Sequence, residues 1–324
     1  MRIAFAGSPA FVVPILAALH ESRHRVALVI TPPDKPAGRG HRLTPPPVKA
    51  EAVARGMTVE QPDDANARAF LQKLRDLRID AIAVAAYGQI LSKEFLDLPP
   101  KGVLNAHLSL LPKYRGAAPV AWAIMRGEAQ TGVTIMRVTP PLDSGPVLMQ
   151  RSVEIRPDET TGDVQRRLGL LAAPMMVEAL DKAEDGTAMF IAQDESKMTQ
   201  APSLKKRDGL ISWRRSALDI KNLVRAMNPW PLAYTFYRGA GPSDHSERVI
   251  VLDVAPLPNQ ADPNGATPGE VVRCDKEGPV VAGGDGCVLI RRVKPAGRRE
   301  MDGAAFVRGH RIEAGGRFGG SGHG

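Results

Sequence analysis

The sequence has little cysteine, and this scarcity limits the kinds of site that it can form. Its 324 residues include two cysteines, Cys274 and Cys287, with no CxxC pair and no neighbouring histidine cluster. This pattern argues against a zinc site and against a disulfide-stabilised fold. We therefore predict two reduced thiols and no bound metal.

Long apolar runs are also missing. No stretch reaches the roughly 18 uncharged apolar residues that a membrane-spanning helix requires. The first strand-like run begins at Arg2, without the charged region and cleavage site of a signal peptide. We therefore expect a cytoplasmic protein with no membrane association.

A dinucleotide-binding motif is absent from the place where it is usually found. Gly7-Ser8-Pro9 follows the first apolar run, but the G-x-G-x-x-G spacing is missing and Pro9 has no amide N–H to offer a phosphate. We interpret this segment as a tight turn between a strand and a helix and do not expect a nicotinamide cofactor.

Size and charge indicate two domains with different tasks. Single cores stop growing near about 250 to 300 residues, so a chain of this length is expected to divide. The chain carries 24 basic and 22 acidic residues up to Leu204, against 19 and 13 beyond it. A basic second domain suits a polyphosphate partner, because each neutralised phosphate releases bound counterions.

Short apolar runs alternate with helical segments over the first half of the chain, which is typical of βαβ units. Short strands separated by Gly and Pro follow, which favours a small barrel. We expect an α/β fold with a Rossmann-like, mostly parallel sheet in the N-terminal domain and an OB-like β-barrel in a smaller C-terminal domain. The predicted bounds are 1–190 for the first domain, 191–206 for a linker, 207–313 for the barrel and 314–324 for a disordered Gly-rich tail.

Two polar side chains stand at the end of one predicted strand. Asn105 and His107 lie two residues apart in an apolar run, so they share a face of the strand. They also lie at its carboxyl end, the edge at which open α/β sheets bind ligands. Taken alone, such a histidine is more often a structural residue than a catalytic one.

The surrounding pattern resembles the folate-dependent formyltransferase family. Asn105-x-His107-x-Ser109-Leu110-Leu111-Pro112 and Leu142-Asp143-Ser144-Gly145 carry the resemblance. Three further segments are similar to the methionyl-tRNA formyltransferases within that family: Asp34 to Arg42, Asn228-Pro229-Trp230-Pro231 and Lys294-Pro295-Ala296-Gly297. The resemblance covers about residues 2 to 313.

The resemblance implies acyl transfer from 10-formyltetrahydrofolate to the amino group of methionine on initiator Met-tRNA. Asn105 and His107 would stabilise the negative oxygen of a tetrahedral intermediate, which requires fixed hydrogen-bond donors. Asp143 would favour the protonated ring of His107, hold its orientation and take a proton from the attacking amine. No step calls for a metal, and nothing demands more than a monomer.

The resemblance also assigns binding residues for both substrates. The folate would lie against two segments, Tyr87-Gly88-Gln89-Ile90-Leu91 and Ser109-Leu110-Leu111-Pro112. The loop around Arg39 would enter the acceptor end of the RNA, since a planar guanidinium pairs with phosphates and base edges. The further residues expected to contact the transfer RNA are Arg42, Lys205, Lys206, Arg207, Lys294 and Arg298.

Two departures from the family pattern are visible, and three other functions are compatible with parts of it. Pro146 and Ser212 stand where family members commonly carry an acidic residue.

An amino-sugar nucleotide formyltransferase would share the catalytic residues and the folate, but it would not need the Arg39 loop or a basic barrel. A formate-releasing hydrolase would lack the amine acceptor, and a pure RNA-binding protein would not need Asn105, His107 and Asp143.

Overall fold

The chain forms two compact units in a computed structural model, which describes residues 1–37, 42–240, 246–257 and 265–319. The first unit comprises Met1–Pro119, Gln130–Glu154 and Asp163–Pro202. The second comprises Val120–Ala129, Ile155–Gly162 and Ser203–Gly324. The chain therefore leaves the first unit and returns to it twice before it enters the second for good.

Nine strands and five helices make up most of the described part of the first unit. The strands are β1 (Arg2–Gly7), β2 (Arg25–Ile30), β3 (Lys35–Ala37), β4 (Arg42–Thr44), β5 (Val59–Glu60), β6 (Ala81–Ala85), β7 (Val103–His107), β8 (Gln130–Arg137) and β9 (Val147–Glu154). Its helices are α1 (Val13–Glu21), α2 (Pro47–Ala54), α3 (Arg68–Asp76), α4 (Lys93–Leu96) and α6 (Thr161–Asp185). The first residues of α6 belong to the second unit, as does nearly all of α5 (Pro119–Met125).

Seven of the strands form one mixed sheet in the order β5-β2-β1-β6-β7-β8-β9. The strands from β5 to β7 pair in parallel, whereas β8 and β9 pair antiparallel with their neighbours. The predicted Rossmann-like, mostly parallel sheet is therefore confirmed. Because the chain moves outward from β1 to β2 on one side and from β6 to β7 on the other, the order reverses between β1 and β6, where α/β sheets hold their ligands.

Apolar strands and one-sided helices build the core of this unit. All five residues of β6 are buried, as a strand covered on both faces requires. Helix α3 turns Phe70, Leu71 and Leu74 inward, which is the spacing of one helical face. These residues join Ile30, Phe95 and others in a continuous core cluster.

The second unit is a curled antiparallel sheet with helices beside it. Its strands are β10 (Ala233–Arg238), β11 (Glu247–Leu257), β12 (Val271–Asp275), β13 (Gly278–Ala282), β14 (Cys287–Pro295), β15 (Met301–Asp302) and β16 (Arg317–Gly319), and its further helices are α7 (Ala217–Ala226) and α8 (Gly303–His310). The strand order is β12-β13-β14-β11-β10-β16. An isolated antiparallel bridge between Glu270, just before β12, and Arg317 in β16 brings the first and last strands of this order together. A buried aromatic group fills the curl, with Phe318 5.7 Å from Trp213 and 4.9 Å from Tyr237 between ring centroids.

The structure differs from the sequence-based expectations in two segments. The loop expected around Arg39 is flanked by two short strands, β3 and β4, which pair antiparallel. The tail was expected to be disordered from residue 314, but Arg317–Gly319 pairs with β10 as strand β16. Phe318 explains this difference, because burying its ring offsets the entropy cost of ordering Gly-rich backbone.

Among the described residues, every helix is too short or too polar to cross a lipid bilayer.

Gly169 permits a close approach between α6 and the turn Ala10–Val12. A Cβ at this position would lie 1.8 Å from the carbonyl oxygen of Phe11, so Gly169→Ala must push backbone apart. We expect this variant to lose about 2 kcal/mol of stability, as overpacked sites do. Thermal unfolding measures the effect.

The matched control is Gly309→Ala in α8, where a Cβ would meet nothing within 4 Å. This variant should be neutral or slightly stabilising, because alanine favours a helix over glycine by about 1 kcal/mol. Equal unfolding midpoints for the two variants would contradict the proposed close packing of Gly169.

Candidate active site

Strand β7 and the loop after β8 bring three polar side chains to one edge of the mixed sheet. Asn105 and His107 lie at the end of β7, separated by Ala106. Asp143 lies in the loop that joins β8 to β9, and its carboxylate Oδ2 is 3.6 Å from Nδ1 of His107. Residues far apart along the chain therefore meet at the carboxyl end of β7.

Both ring nitrogens of His107 face protein oxygens. Nε2 lies 2.9 Å from the carbonyl oxygen of Tyr114, which can only accept a hydrogen bond, so Nε2 carries the proton. Nδ1 is the nitrogen on the side of Asp143. The buried ring therefore has a fixed orientation and offers only Nδ1 to a substrate.

Asp143 sits in an unusual backbone conformation. Its φ is +53°, in the left-handed region, and it is 8% exposed. Oδ2 accepts a hydrogen bond of 2.9 Å from the amide N–H of Gly116. Tyr114, whose carbonyl holds His107, also has a positive φ, of +64°. Conformations of this kind cost free energy and persist where the surroundings hold them, as they often do at active sites.

The segment Tyr87 to Leu91 lies beside a cavity of about 480 Å³. The cavity lies at the ends of β1, β2 and β6 and is lined in part by Ser8, Pro32 and Tyr87. It thus adjoins the point where the strand order reverses. The loop reaches its shape with positive φ values at Ala86 and Gly88.

The other side chains of this loop point in different directions. The amide of Gln89 binds backbone groups of residues 62, 63 and 65. Ile90 is 81% exposed, whereas Leu91 packs against the core. Of the five predicted folate residues in this loop, three line the cavity: Tyr87, Gly88 and Gln89.

The second predicted folate segment, Ser109 to Pro112, is tied internally. The hydroxyl of Ser109 donates to the carbonyl of Lys113 at 2.7 Å, and the Ser109 carbonyl accepts from Thr134 at 2.6 Å. The amide of Gln150 donates to the Leu111 carbonyl at 2.7 Å. Leu111 is buried, and Leu110 and Pro112 are half-buried. These bonds fix the shape of the segment and leave the Ser109 hydroxyl engaged.

The structure adds three residues that the sequence did not single out for this site. Gln193 donates to the backbone carbonyls of Asp143 and Gly145. Arg115, which is buried, binds both Gln193 and Glu195. Gln193 and Glu195 belong to the segment expected to be a linker, and the only sequence signal there is a polar run without periodicity.

The basic residues predicted to contact RNA are surface residues wherever the structure describes their side chains. Lys205, Lys206, Arg207, Lys294 and Arg298 are exposed. Arg42 begins β4. Arg39 lies outside the described residues.

One cluster within the described residues has the composition of a metal site. Ligand atoms of His24, Asp181 and Glu184 lie within 4.8 Å of one another. Arg23 pairs with Asp181 at 2.6 Å and with Glu184 at 3.2 Å, and these ion pairs account for the acidic groups. His24 immediately precedes β2, so the cluster lies at the amino end of that strand, at the edge opposite the candidate site.

Comparison with known protein families assigns both parts of the chain. Residues 1–180 match the model described as formyl transferase, and residues 203–311 match the one described as formyl transferase, C-terminal domain. The chain belongs to the formyl transferase family. The resemblance carried by the motifs at Asn105 and Asp143 is thereby confirmed.

Similar proteins with assigned names extend over nearly the whole chain. The methionyl-tRNA formyltransferase of Acetivibrio thermocellus is 42% identical over 315 residues, spanning 97% of this chain and 98% of the relative. That of Moorella thermoacetica is 43% identical over 311 residues, or 96% of both chains.

Solved structures share the fold at much lower identity. An N-formyltransferase from Helicobacter canadensis, bound to folinic acid and dTDP-3-aminofucose, has a TM-score of 0.66 at 16% identity and covers 90% of this chain and 98% of that one. HypX from Aquifex aeolicus, in complex with tetrahydrofolic acid, has a TM-score of 0.63 at 19% identity, covering 96% of this chain and 47% of that one.

Tyr87 provides a test of the loop beside the cavity. Burial, with the Asp64 carboxylate as a second cause, raises the pKa of Tyr87 from 10.0 to about 12. Between pH 10 and 12 the unfolded chain therefore loses the Tyr87 proton while the folded chain still holds it. The free energy of unfolding falls as pH rises over that range, by up to about 1.4 kcal/mol per pH unit. We expect Tyr87→Phe to flatten this decline, as measured by urea unfolding at several pH values.

Absorbance of tyrosinate supplies the control. Denatured wild type should titrate all four tyrosines together, and denatured Tyr87→Phe should titrate three. If folded wild type and folded Tyr87→Phe gain the same tyrosinate absorbance between pH 11 and 12.5, Tyr87 is not buried as described.

Proposed function

We propose that this protein transfers the formyl group of 10-formyltetrahydrofolate to the α-amino group of methionine on initiator Met-tRNA, giving N-formylmethionyl-tRNA. The observation that carries the proposal is the meeting of Asn105, His107 and Asp143 at the carboxyl end of β7. It is supported by about 40% identity over nearly full length to proteins named methionyl-tRNA formyltransferase. The folate supplies an activated formyl group, and the protein supplies donors and a proton acceptor.

Each of the three side chains has a distinct chemical task. The side-chain amide of Asn105 forms no hydrogen bond to another described residue, so its N–H groups are available to the formyl oxygen as negative charge develops there. His107 presents Nδ1 to the same oxygen, because its Nε2 is engaged by the Tyr114 carbonyl. Because Nε2 already carries a proton, Nδ1 donates to this oxygen only in the imidazolium form of the ring, which the proposal therefore requires beside the Asp143 carboxylate.

Asp143 serves both the histidine and the attacking amine. Its Oδ2 faces His107 and accepts a hydrogen bond from the amide N–H of Gly116, so the carboxyl group has a fixed orientation. A carboxylate in that position takes the proton that the amine loses, directly or through a water molecule. The bond between N10 and the formyl carbon then breaks, and N10 of the departing tetrahydrofolate takes up a proton. The pair therefore acts without a metal.

The region around Tyr87 suits a flat, polar heterocycle such as the pterin of the folate. The cavity of about 480 Å³ has room for it, and the buried hydroxyl of Tyr87 has no partner among the described residues. An unpaired buried donor favours a ligand that pairs with it. We propose that Tyr87 to Leu91 contact the pterin through backbone groups and that Ser109 to Pro112 shape the opposite wall.

The tRNA contacts are proposed from charge and position. Arg39 and Arg42 would read the acceptor end, while Lys205, Lys206, Arg207, Lys294 and Arg298 would hold phosphates. In this proposal residues 1–190 form the catalytic domain, 191–206 the linker and 207–313 an OB-like barrel that binds RNA. The curled antiparallel sheet and its exposed basic residues support that assignment.

We further propose that the protein acts as a monomer in the cytoplasm.

An amino-sugar nucleotide formyltransferase is the second candidate. The Helicobacter canadensis structure bound to dTDP-3-aminofucose has the same fold, but at 16% identity this likeness shows only the fold. Such an enzyme would not require the exposed basic residues of the second unit.

Formyl incorporation tests the proposal directly. Purified protein, labelled 10-formyltetrahydrofolate and charged initiator tRNA should yield labelled methionyl-tRNA, while charged elongator tRNA should be labelled far more slowly. Asn105→Ala should lower kcat by about 100- to 1,000-fold, because one oxyanion donor is lost.

Asn105→Asp is the matched control for this loss. It keeps the size of the side chain but cannot donate when ionised, so it should be as impaired as Asn105→Ala. Equal labelling of both RNAs would remove the proposed role of Arg39, and labelling of an amino-sugar nucleotide instead of RNA would favour the second candidate.

Salt dependence tests the basic surface of the second unit. The logarithm of the tRNA affinity should fall linearly with the logarithm of salt concentration, and Lys206→Ala should reduce the slope by about 1 if Lys206 contacts a phosphate. Filter binding or fluorescence anisotropy at several salt concentrations measures the slope.

Lys197→Ala serves as the control, since Lys197 is exposed but paired with Asp194 at 3.0 Å. Its slope should equal that of the wild type. A wild-type affinity that does not respond to salt would contradict phosphate binding by this surface.

A further inference from the structure

The segment Gln193–Ala201, called the clamp segment below, joins the two loops that carry the candidate site. One loop contains Tyr114, Arg115 and Gly116, and the other contains Asp143 and Gly145. Both loops have irregular backbone, whose carbonyl and amide groups have no place in the sheet and need other partners. The clamp segment provides partners for both.

Backbone bonds attach the clamp segment to the first loop. Arg115 donates to the carbonyl of Thr199 at 2.9 Å, and Ala201 donates back to the carbonyl of Arg115 at 2.7 Å. The hydroxyl of Thr199 accepts from the amide N–H of Tyr114 at 2.9 Å. Gly116 fits closely here, since a Cβ would lie 2.6 Å from the carbonyl oxygen of Ala201.

A single side chain attaches the clamp segment to the second loop. Nε2 of Gln193 donates to the carbonyl of Asp143 at 2.9 Å and to the carbonyl of Gly145 at 2.7 Å. These two carbonyls flank the turn in which Asp143 takes its left-handed conformation. The amide thus uses both of its hydrogens to hold that turn.

Buried charge fixes the orientation of Gln193. Oε1 of Gln193 accepts from Nε and Nη2 of Arg115 at 3.1 and 2.8 Å. The same guanidinium donates to both carboxylate oxygens of Glu195, at 2.9 and 2.7 Å. Because Oε1 faces a cation that can only donate, Nε2 must face the two carbonyls.

We propose that Gln193 is a positioning residue for formyl transfer, which holds Asp143 against His107 through the carbonyls of Asp143 and Gly145. The inference rests on the proposed function for its kinetic consequence. Without the amide, the Asp143 turn loses two donors, and its carboxylate moves relative to Gly116 and to Nδ1 of His107. Gln193 itself touches no reacting atom.

Gln193→Leu tests this role by removing the amide at nearly constant volume. We expect kcat to fall about 10- to 100-fold, the cost of a displacement of about 1 Å in a catalytic group, with KM values for the folate and the RNA within about twofold. Because Gln193→Leu leaves Arg115 with one partner fewer and can unfold, Gln193→Glu is the second variant. Its carboxylate still accepts from Arg115 but cannot donate to the two carbonyls, so it should show the same kinetic loss.

The amide proton of Gly116 reports the geometry without any assay of activity. It donates to Oδ2 of Asp143, so its resonance should move upfield in NMR spectra of both variants, as it should in Asp143→Ala. A merely structural role of Gln193 would lower the unfolding midpoint but leave this resonance in place. Gln200→Leu is the matched control, because among the described residues the side chain of Gln200 hydrogen-bonds only to the Met198 sulfur, at 3.8 Å.

The outcomes separate this inference from the proposed function. A folded Gln193→Glu with kcat within twofold of wild type and an unmoved Gly116 resonance overturns the inference, whatever the substrate. If wild type does not formylate Met-tRNA, the proposed function fails, and the Gly116 resonance alone then decides whether Gln193 positions Asp143. If wild type is active, both Gln193 variants lose activity and move the Gly116 resonance, and Gln200→Leu does neither, both the inference and the proposed function stand.

Discussion

The hydrogen bond from the Gly116 amide to the Asp143 carboxylate directly joins the two loops that carry the candidate site. One loop follows β7 and the other connects β8 to β9. The 2.9 Å bond keeps the carboxyl group pointing back toward β7, which is where His107 stands. The relation between an imidazole and a carboxylate, on which the candidate chemistry depends, thus follows from one charge-assisted bond to backbone.

The mixed sheet supplies the rigid base for this bond. Parallel strands end at one edge, and the reversal of order between β1 and β6 opens a cavity there beside Tyr87. Strands β8 and β9 depart from the parallel pattern, and the turn between them carries Asp143. The loop of residues 138–146 that connects these two antiparallel strands is long enough to bring Asp143 within 3.6 Å of His107.

The sequence predicts the parts of this arrangement that depend on local pattern. The apolar run Val103 to His107 indicates a strand, and its period of two places Asn105 and His107 on one face. Asp143 was assigned only through the family resemblance, because a left-handed aspartate in a loop looks like an ordinary turn residue. The role of Gln193 cannot be predicted from the sequence, because its partners are backbone carbonyl groups. Every residue has such a group, so no residue type indicates which ones a side chain will bind.

The buried guanidinium of Arg115 shows why a segment without periodicity can be part of a site. Desolvating a cation is costly, and the pairs with Glu195 and Gln193 offset that cost only while the whole group stays assembled. Glu195 is exposed, so the pair is closed to water on one side only, and Arg115 lowers the pKa of the Glu195 carboxyl. The clamp segment is therefore held in one position by the same bonds that orient the Gln193 amide. Loops at functional sites need such donors because their carbonyls cannot join a sheet, and here the donor that satisfies the backbone also sets the position of Asp143.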